Sequence, residues 1–346
     1  MKSHRCCAQL DDRNVPADSE SQTGFLPYPT GRSVENATGT TCGLREPSLC
    51  ARTLPDRPVD RHRVARAKTG AVVGLTQASS LIVDVEDGVA FMTLNRPDSL
   101  NALSFALLDV LSEELTRIAR DRAVRCVVIR GAGRSFCAGG DVREIAARRK
   151  ETAEAASLGA LLDAQSRLML HHEESVRLLH TMPKPTIASL HGHVFGGGLS
   201  LALACDLRVV ARSAKLQGGF KQRSLSGDFG VAYFLTHIVG AGKAREIMLL
   251  DPVIDGELAF AMGLASALYD DDELVEATKT LAGELAAGPT IALGRMKDNI
   301  FAAQTLSMDD ALRVEAMNQR ISANTLDASE AGAAFSEKRP PRFTGQ

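Results

Sequence analysis

The stretch Lys184-Pro-Thr-Ile-Ala-Ser-Leu-His-Gly-His-Val-Phe-Gly-Gly-Gly-Leu-Ser-Leu-Ala-Leu-Ala-Cys-Asp206 decides the fold. Thr186 to Leu190 is a short apolar run behind a Lys-Pro pair, which reads as a buried strand. Gly192 ends it. The triple glycine Gly196-Gly-Gly198 then opens an apolar run that reads as a helix. Leu207 to Ala211 is a further apolar strand.

The same grammar extends upstream. Cys126 to Arg130 is an apolar strand that stops at Gly131. Leu81 to Val85 and Val89 to Leu94 flank Glu86-Asp-Gly88, the pattern of a hairpin. Ser104 stands where a helix N-cap belongs, and Leu107, Leu108, Leu111 and Leu115 fall on one face of a helix reaching Arg120. Residues 143–180 read as helical, with a break that the pattern does not locate. From about Asp272 the chain reads as mainly helical. Recurring strand–turn–helix units argue for an α/β core.

Composition narrows the classes of function. The 346 residues suffice for a substantial core. A net charge of −2 gives no argument for nucleic acid or an anionic membrane as partner, and aromatic residues at 4% with no Trp offer no stacking platform. No apolar run approaches the roughly 18 residues of a membrane span. The seven Cys make no CxxC pair, and an odd count fits a disulfide framework poorly. Cys126, Cys137 and Cys205 lie in apolar segments and read as small buried hydrophobes, so a reducing, cytoplasmic location is expected. Residues 1–78 form an extension rich in Arg, Ser, Pro and Gly without sustained periodicity. It is expected to be mostly disordered, and its composition assigns it no role. Its first 70 residues hold eleven Lys and Arg against eight Asp and Glu. Asp11, Asp12, Asp18 and Glu20 count against a mitochondrial presequence, and a continuous apolar stretch of the secretory kind is lacking.

Five stretches in order carry a family resemblance. They are Leu94-Asn-Arg-Pro-Asp-Ser-Leu-Asn-Ala-Leu-Ser104, Gly131-Ala-Gly-Arg-Ser-Phe-Cys-Ala-Gly-Gly-Asp141, the opening stretch 184–206, Gly240-Ala-Gly-Lys-Ala-Arg-Glu246, and Glu330-Ala-Gly-Ala-Ala-Phe-Ser-Glu-Lys-Arg339. Over residues 80–346 the chain resembles the crotonase (enoyl-CoA hydratase/isomerase) family. The resemblance implies a spiral of ββα units over 79–271 and a helical region over 272–346 that mediates trimer formation. It also implies a homotrimer or dimer of trimers acting on acyl-CoA thioesters, with no cofactor beyond the coenzyme A of the substrate. No metal site is expected.

Polarising a thioester needs two N–H groups aimed at its carbonyl oxygen. Glycine allows the close backbone approach. The family pattern assigns these donors to Gly140 and Gly197. By the same resemblance, Arg96, Ala102, Leu103 and Ala138 line the path of CoA, and Phe335 and Lys338 reach CoA from a neighbouring subunit.

The chain departs from the hydratase pattern at both catalytic glutamates. Ser200 takes the first position and Phe220 the second. An unperturbed Ser is a poor base and Phe transfers no proton. Asp228 stands eight residues beyond Phe220, where an aspartate does chemistry in isomerase and dehalogenase members. Burial near Phe220, Leu225 and Phe229 should raise its pKa. The competing reading makes Asp228 the cap of the helix that follows. Glu173, with His171, His172, Glu174 and His180, reads as part of a solvated polar helix face. Asp141 and Asp206 read as loop-fixing acceptors, and His191 and His193 as structural. The expectation is therefore an enoyl-CoA isomerase using Asp228. The alternatives are a hydratase or dehydratase that adds Glu173 or a water, a hydrolase or dehalogenase, and a non-catalytic acyl-CoA-binding member.

Overall fold

The computed structural model describes residues 79–153 and 157–346. The extension expected to be disordered lies outside the described residues. Strands β1 (Leu81–Glu86) and β2 (Val89–Leu94) form the hairpin, with Leu81 opposite Leu94 and Glu86 opposite Val89. Asp87 and Gly88 both take positive φ, 48° and 80°, which gives a two-residue turn the twist of its strands. Helix α1 (Phe105–Arg120) starts at Ser104, whose Oγ accepts a hydrogen bond from the Leu107 N–H at 3.2 Å. Leu107, Leu108, Leu111 and Leu115 form its buried face, as their spacing requires.

Strand β3 (Cys126–Gly131) leads to α2 (Val142–Ala153) and α3 (Leu158–Thr181). The helical stretch expected over 143–180 is thus two helices, the second capped by the Ser157 side chain. There follow β4 (Thr186–Leu190), β5 (His193–Phe195), α4 (Gly197–Ala204), β6 (Leu207–Ala211), β7 (Lys215–Gln217) and α5 (Val231–Leu250). Then come β8 (Ile254–Asp255), α6 (Gly256–Ala261), β9 (Ala267–Tyr269), α7 (Leu274–Ala287), α8 (Thr290–Thr305), α9 (Met308–Ala323) and α10 (Leu326–Glu337).

The strands divide between two sheets. One has the order β1-β2-β3-β4-β6-β9 and is parallel beyond the hairpin; the other has the order β5-β7-β8. The chain places one strand in each sheet and then a helix, as in β4-β5-α4 and β6-β7-α5, which is the ββα repeat implied by the resemblance. Val127, Val128, Ile129, Ile187, Ala188, Val209 and Val210 are fully buried, so both faces of the parallel sheet are covered. The strands β5, β7 and β8 went unread in the sequence, because runs of two or three residues carry no measurable period.

The small sheet places the site. Phe195 N donates to the Cys137 carbonyl at 2.9 Å, and Cys137 N to that of His193 at 3.0 Å. These bonds tie the segment after β3 to the segment before α4.

Candidate active site

Two glycine-containing loops meet at the start of α4. Leu103 N donates to the Gly139 carbonyl at 2.8 Å, and Asp141 N to that of Leu103 at 3.0 Å, which holds Gly140 in a short parallel bridge. A Cβ on Gly139 would lie 2.9 Å from the Phe195 oxygen and 3.5 Å from the Gly197 nitrogen, and its φ of +90° also favours glycine. Gly197 is the first residue of α4, where backbone N–H groups have no partner within the helix. Among the described residues, neither the Gly140 nor the Gly197 N–H donates to any loop, turn or cap hydrogen bond. Two unspent donors on abutting loops suit an oxygen that gains negative charge.

Asp228 lies beside Gly197. A Cβ built on Gly197 would lie 3.8 Å from Asp228 Oδ1, 3.8 Å from Phe229 Cδ2 and 3.2 Å from Leu103 Cδ1. Oδ1 is buried and has no hydrogen-bond partner among the described residues. The capping reading fails. Helix α5 begins at Val231 with Gly230 as its N-cap and no side-chain cap bond. Only the main-chain carbonyl of Asp228 accepts there, from Val231 N at 3.2 Å. Burial, followed by the negative charge of Glu173, pushes the Asp228 carboxyl up to about 6. Phe220 and Phe229 are buried as expected, whereas Leu225 turns outward.

Glu173 corrects the reading of a solvated helix face. Its Oε1 accepts from the Phe229 N–H at 3.0 Å. The sequence held no signal for this, because Glu173 and Phe229 are joined only by the packing of α3 against the loop before α5. The other residues of that group divide. His172 is buried, pairs with Asp109 at 3.1 Å and stacks on Phe105 with ring centroids 5.4 Å apart. His171 is exposed and lies 3.4 Å from the same Asp109 oxygen. These side chains satisfy one another and pin α3 to α1. Glu174 pairs with Arg177, and His180 packs among Tyr233, Phe234 and Phe301.

The two vacated glutamate positions are occupied structurally. Ser200 is fully buried, and its Oγ donates to the Asp228 carbonyl at 3.0 Å. Phe220 is buried in the core. His193 bonds Ser135 at 3.1 Å through Nδ1, and His191 bonds the Gly133 carbonyl at 2.9 Å. Cys126, Cys137 and Cys205 are free, buried thiols whose pKa burial pushes up to about 12.

A groove of about 810 Å³ opens beside Gly140, lined by Arg96, Ala102, Ala138 and Gly140 among others; Gly197 and Asp228 are not part of its lining. Arg96 is itself engaged: Nη2 pairs with Asp141 at 2.9 Å and Nη1 donates to the Ala102 carbonyl at 2.5 Å. That pairing holds the Asp141 carboxyl below its ordinary pKa, and Asp141 also accepts from Arg143 N at 3.2 Å. Arg134, Arg143 and Arg223 also line the groove. They were missed because isolated arginines spread over three separate segments carry no periodic signal; Arg143 lies in the first turn of α2. Leu103 is buried behind the lining, against Gly197. Phe335 and Lys338, on and just after α10, are not part of the lining; Phe335 is 86% exposed. Asp206 accepts from Thr186 N at 2.8 Å and pairs with Lys297 at 2.7 Å. A second hollow, about 340 Å³, runs past His180, Tyr233 and Lys297, but it is mainly apolar and contains neither glycine loop.

Comparison with known proteins fits this geometry. Residues 84–346 match the family model described as enoyl-CoA hydratase/isomerase. The chain is 35% identical over 266 residues to the 1,2-epoxyphenylacetyl-CoA isomerase of Escherichia coli K12, covering 77% of this chain and 98% of that protein. It is 30% identical over 265 residues to the crotonyl-CoA hydratase of Syntrophomonas wolfei, covering 76% and 97%. A crystal structure of enoyl-CoA hydratase from Bacillus anthracis superposes with a TM-score of 0.70 at 28% identity, covering 78% of this chain and all of that one.

Proposed function

The chain belongs to the enoyl-CoA hydratase/isomerase family, and from that premise we propose that it moves the double bond of an enoyl-CoA, with Asp228 as the acid/base. The observation that carries this reading is the buried, unpartnered Oδ1 of Asp228 opposite Gly197, where both hydratase glutamates are absent. A carboxyl titrating near neutrality can take a proton and return it.

On a 3-enoyl-CoA the steps balance without water. The Asp228 carboxylate removes a C2 proton. The electron pair passes through the C1 carbonyl, and the Gly140 and Gly197 N–H groups hold the resulting dienolate oxygen. The Asp228 acid then returns the proton to C4, leaving a 2-enoyl-CoA. The groove beside Gly140 takes the CoA, with Ala102 and Ala138 along the thiol arm and its arginines towards the phosphates. Phe335 and Lys338 of a neighbouring subunit complete it, in a homotrimer or dimer of trimers located in the cytoplasm. Among the described residues no helix is long and apolar enough to cross a membrane.

A second reading, hydration of a 2-enoyl-CoA by Asp228 with Glu173, is favoured by the presence of a second carboxylate at the site. Turnover in water enriched in oxygen-18 separates the two. Isomerisation leaves the product unlabelled, and hydration places the label in a hydroxyl group. Labelled hydroxyl product from a 2-enoyl-CoA, with no double-bond migration from a 3-enoyl-CoA, would overturn the isomerase reading.

A further inference from the structure

The loop that carries Asp228 is held under backbone strain. Phe229 takes φ +50°, unusual for a side chain of its size, between Gly227 at +110° and Gly230 at +73°. Such a conformation persists only where its surroundings over-determine it. Three bonds do so here. Ser200 Oγ from α4 and Val231 N from α5 both donate to the Asp228 carbonyl, and Glu173 from α3 accepts the Phe229 N–H. Glu173 supplies the only one of these bonds that involves a charged side chain. It is half-buried and follows His172, which the Asp109 bond and the Phe105 stack fix in place.

From this geometry we propose that Glu173 is a positioning residue for Asp228. Its carboxylate locks the 228–229 backbone through the Phe229 N–H, and its charge opposes a second negative charge on Asp228. The inference rests on the proposed role of Asp228 and adds what sets that residue's readiness to hold a proton. Among the described residues, Glu173 is the charged group that bears on Asp228; Ser200 is neutral and the first turn of α5 brings no acid. Desolvation is the larger cause of the raised pKa, so removing the Glu173 charge should lower it in part and not wholly.

The test is Glu173→Gln, which keeps an oxygen acceptor for the Phe229 N–H and removes the charge. Two quantities are read on the full chain. One is the ionisation midpoint of Asp228, from carbon-13 carboxyl NMR with Asp228→Asn as the assignment control. The other is the acid limb of kcat/KM for a 3-enoyl-CoA against pH. Glu173→Gln is expected to lower the midpoint by about half a unit to one unit, the size of a like-charge effect at a partly screened site. The limb should shift by the same amount. Glu173→Ala, which also loses the bond to Phe229, should lose a further ~10-fold in kcat at every pH, as one hydrogen bond to a charged group implies. A midpoint unmoved in Glu173→Gln overturns the inference, whatever happens to turnover. A midpoint that moves while the limb stays supports the coupling and instead refutes Asp228 as the titrating base.

Discussion

Asp228→Asn should make the enzyme inactive and more stable at once, in a way that depends on pH. The native carboxyl sits at about 6 against an ordinary value of 3.8, so the folded protein binds a proton that the unfolded chain has already released. A raised carboxyl pKa favours folding fully below about pH 4, and that benefit is lost as pH rises through 6. The shift of about two units corresponds to about 3 kcal/mol at the alkaline end, of which about 1.5 kcal/mol falls between pH 5 and pH 8. Asparagine does not titrate. The stability difference between variant and wild type should therefore grow by about 1.5 kcal/mol across that window. Comparing the variant-minus-wild-type difference at two pH values cancels any fixed packing difference between amide and acid. Urea unfolding at one protein concentration, repeated at pH 5 and pH 8, gives the quantity directly, and kcat should fall by about 10²- to 10⁴-fold as for loss of a general base. A stability difference that is flat with pH would mean that Asp228 is ionised like an ordinary surface carboxylate, and the argument from its burial would collapse.

Gly198→Ala places a Cβ 2.6 to 2.8 Å from the Cys137 oxygen, Cβ and Sγ, forcing the two loops apart. It should destabilise the fold by about 1–3 kcal/mol and lower kcat, as measured by denaturation and initial rates. Cys126, Cys137 and Cys205 should resist iodoacetamide in the native protein at pH 8 and react after unfolding, because burial holds their thiols protonated. Peptide mass spectrometry reads this, and native labelling of Cys137 would contradict the packing of the β3 loop. Lys338→Ala should raise KM for acyl-CoA by about 10-fold with kcat little changed, as for loss of one phosphate contact, and sedimentation should return a trimer or hexamer.

Much of the frame is legible in the sequence because it rests on local rules. The β1–β2 turn, the Ser104 cap and the leucine face of α1 each follow from a few adjacent residues. The roles of Gly140 and Gly197 were legible only through the family resemblance, since the approach of the Gly139 segment to Phe195, which leaves no room for a side chain, is tertiary. Asp228 and the upward push on its pKa were legible, but the choice between capping and facing the site was not. Whether it capped α5 or faced Gly197 turned on where Gly230 began the helix, a difference of two residues. Glu173 was misread because helix periodicity assigns faces relative to the helix alone. What meets that face is a loop more than fifty residues onward, brought there by the two-sheet architecture. The groove arginines were invisible for a related reason, since their convergence is tertiary.

Incubation of the pure enzyme with a 3-enoyl-CoA, and separately with crotonyl-CoA, in deuterium oxide tests the central claim most directly, with products read by mass spectrometry. Our account predicts conversion of the 3-enoyl to the 2-enoyl isomer, with deuterium at C4 only to the extent that the Asp228 acid exchanges with solvent before it returns the proton, no hydroxylated product from either substrate, and loss of migration in Asp228→Asn. Rapid formation of a 3-hydroxyacyl-CoA from crotonyl-CoA would contradict it, and would show that this site activates water without the two glutamates.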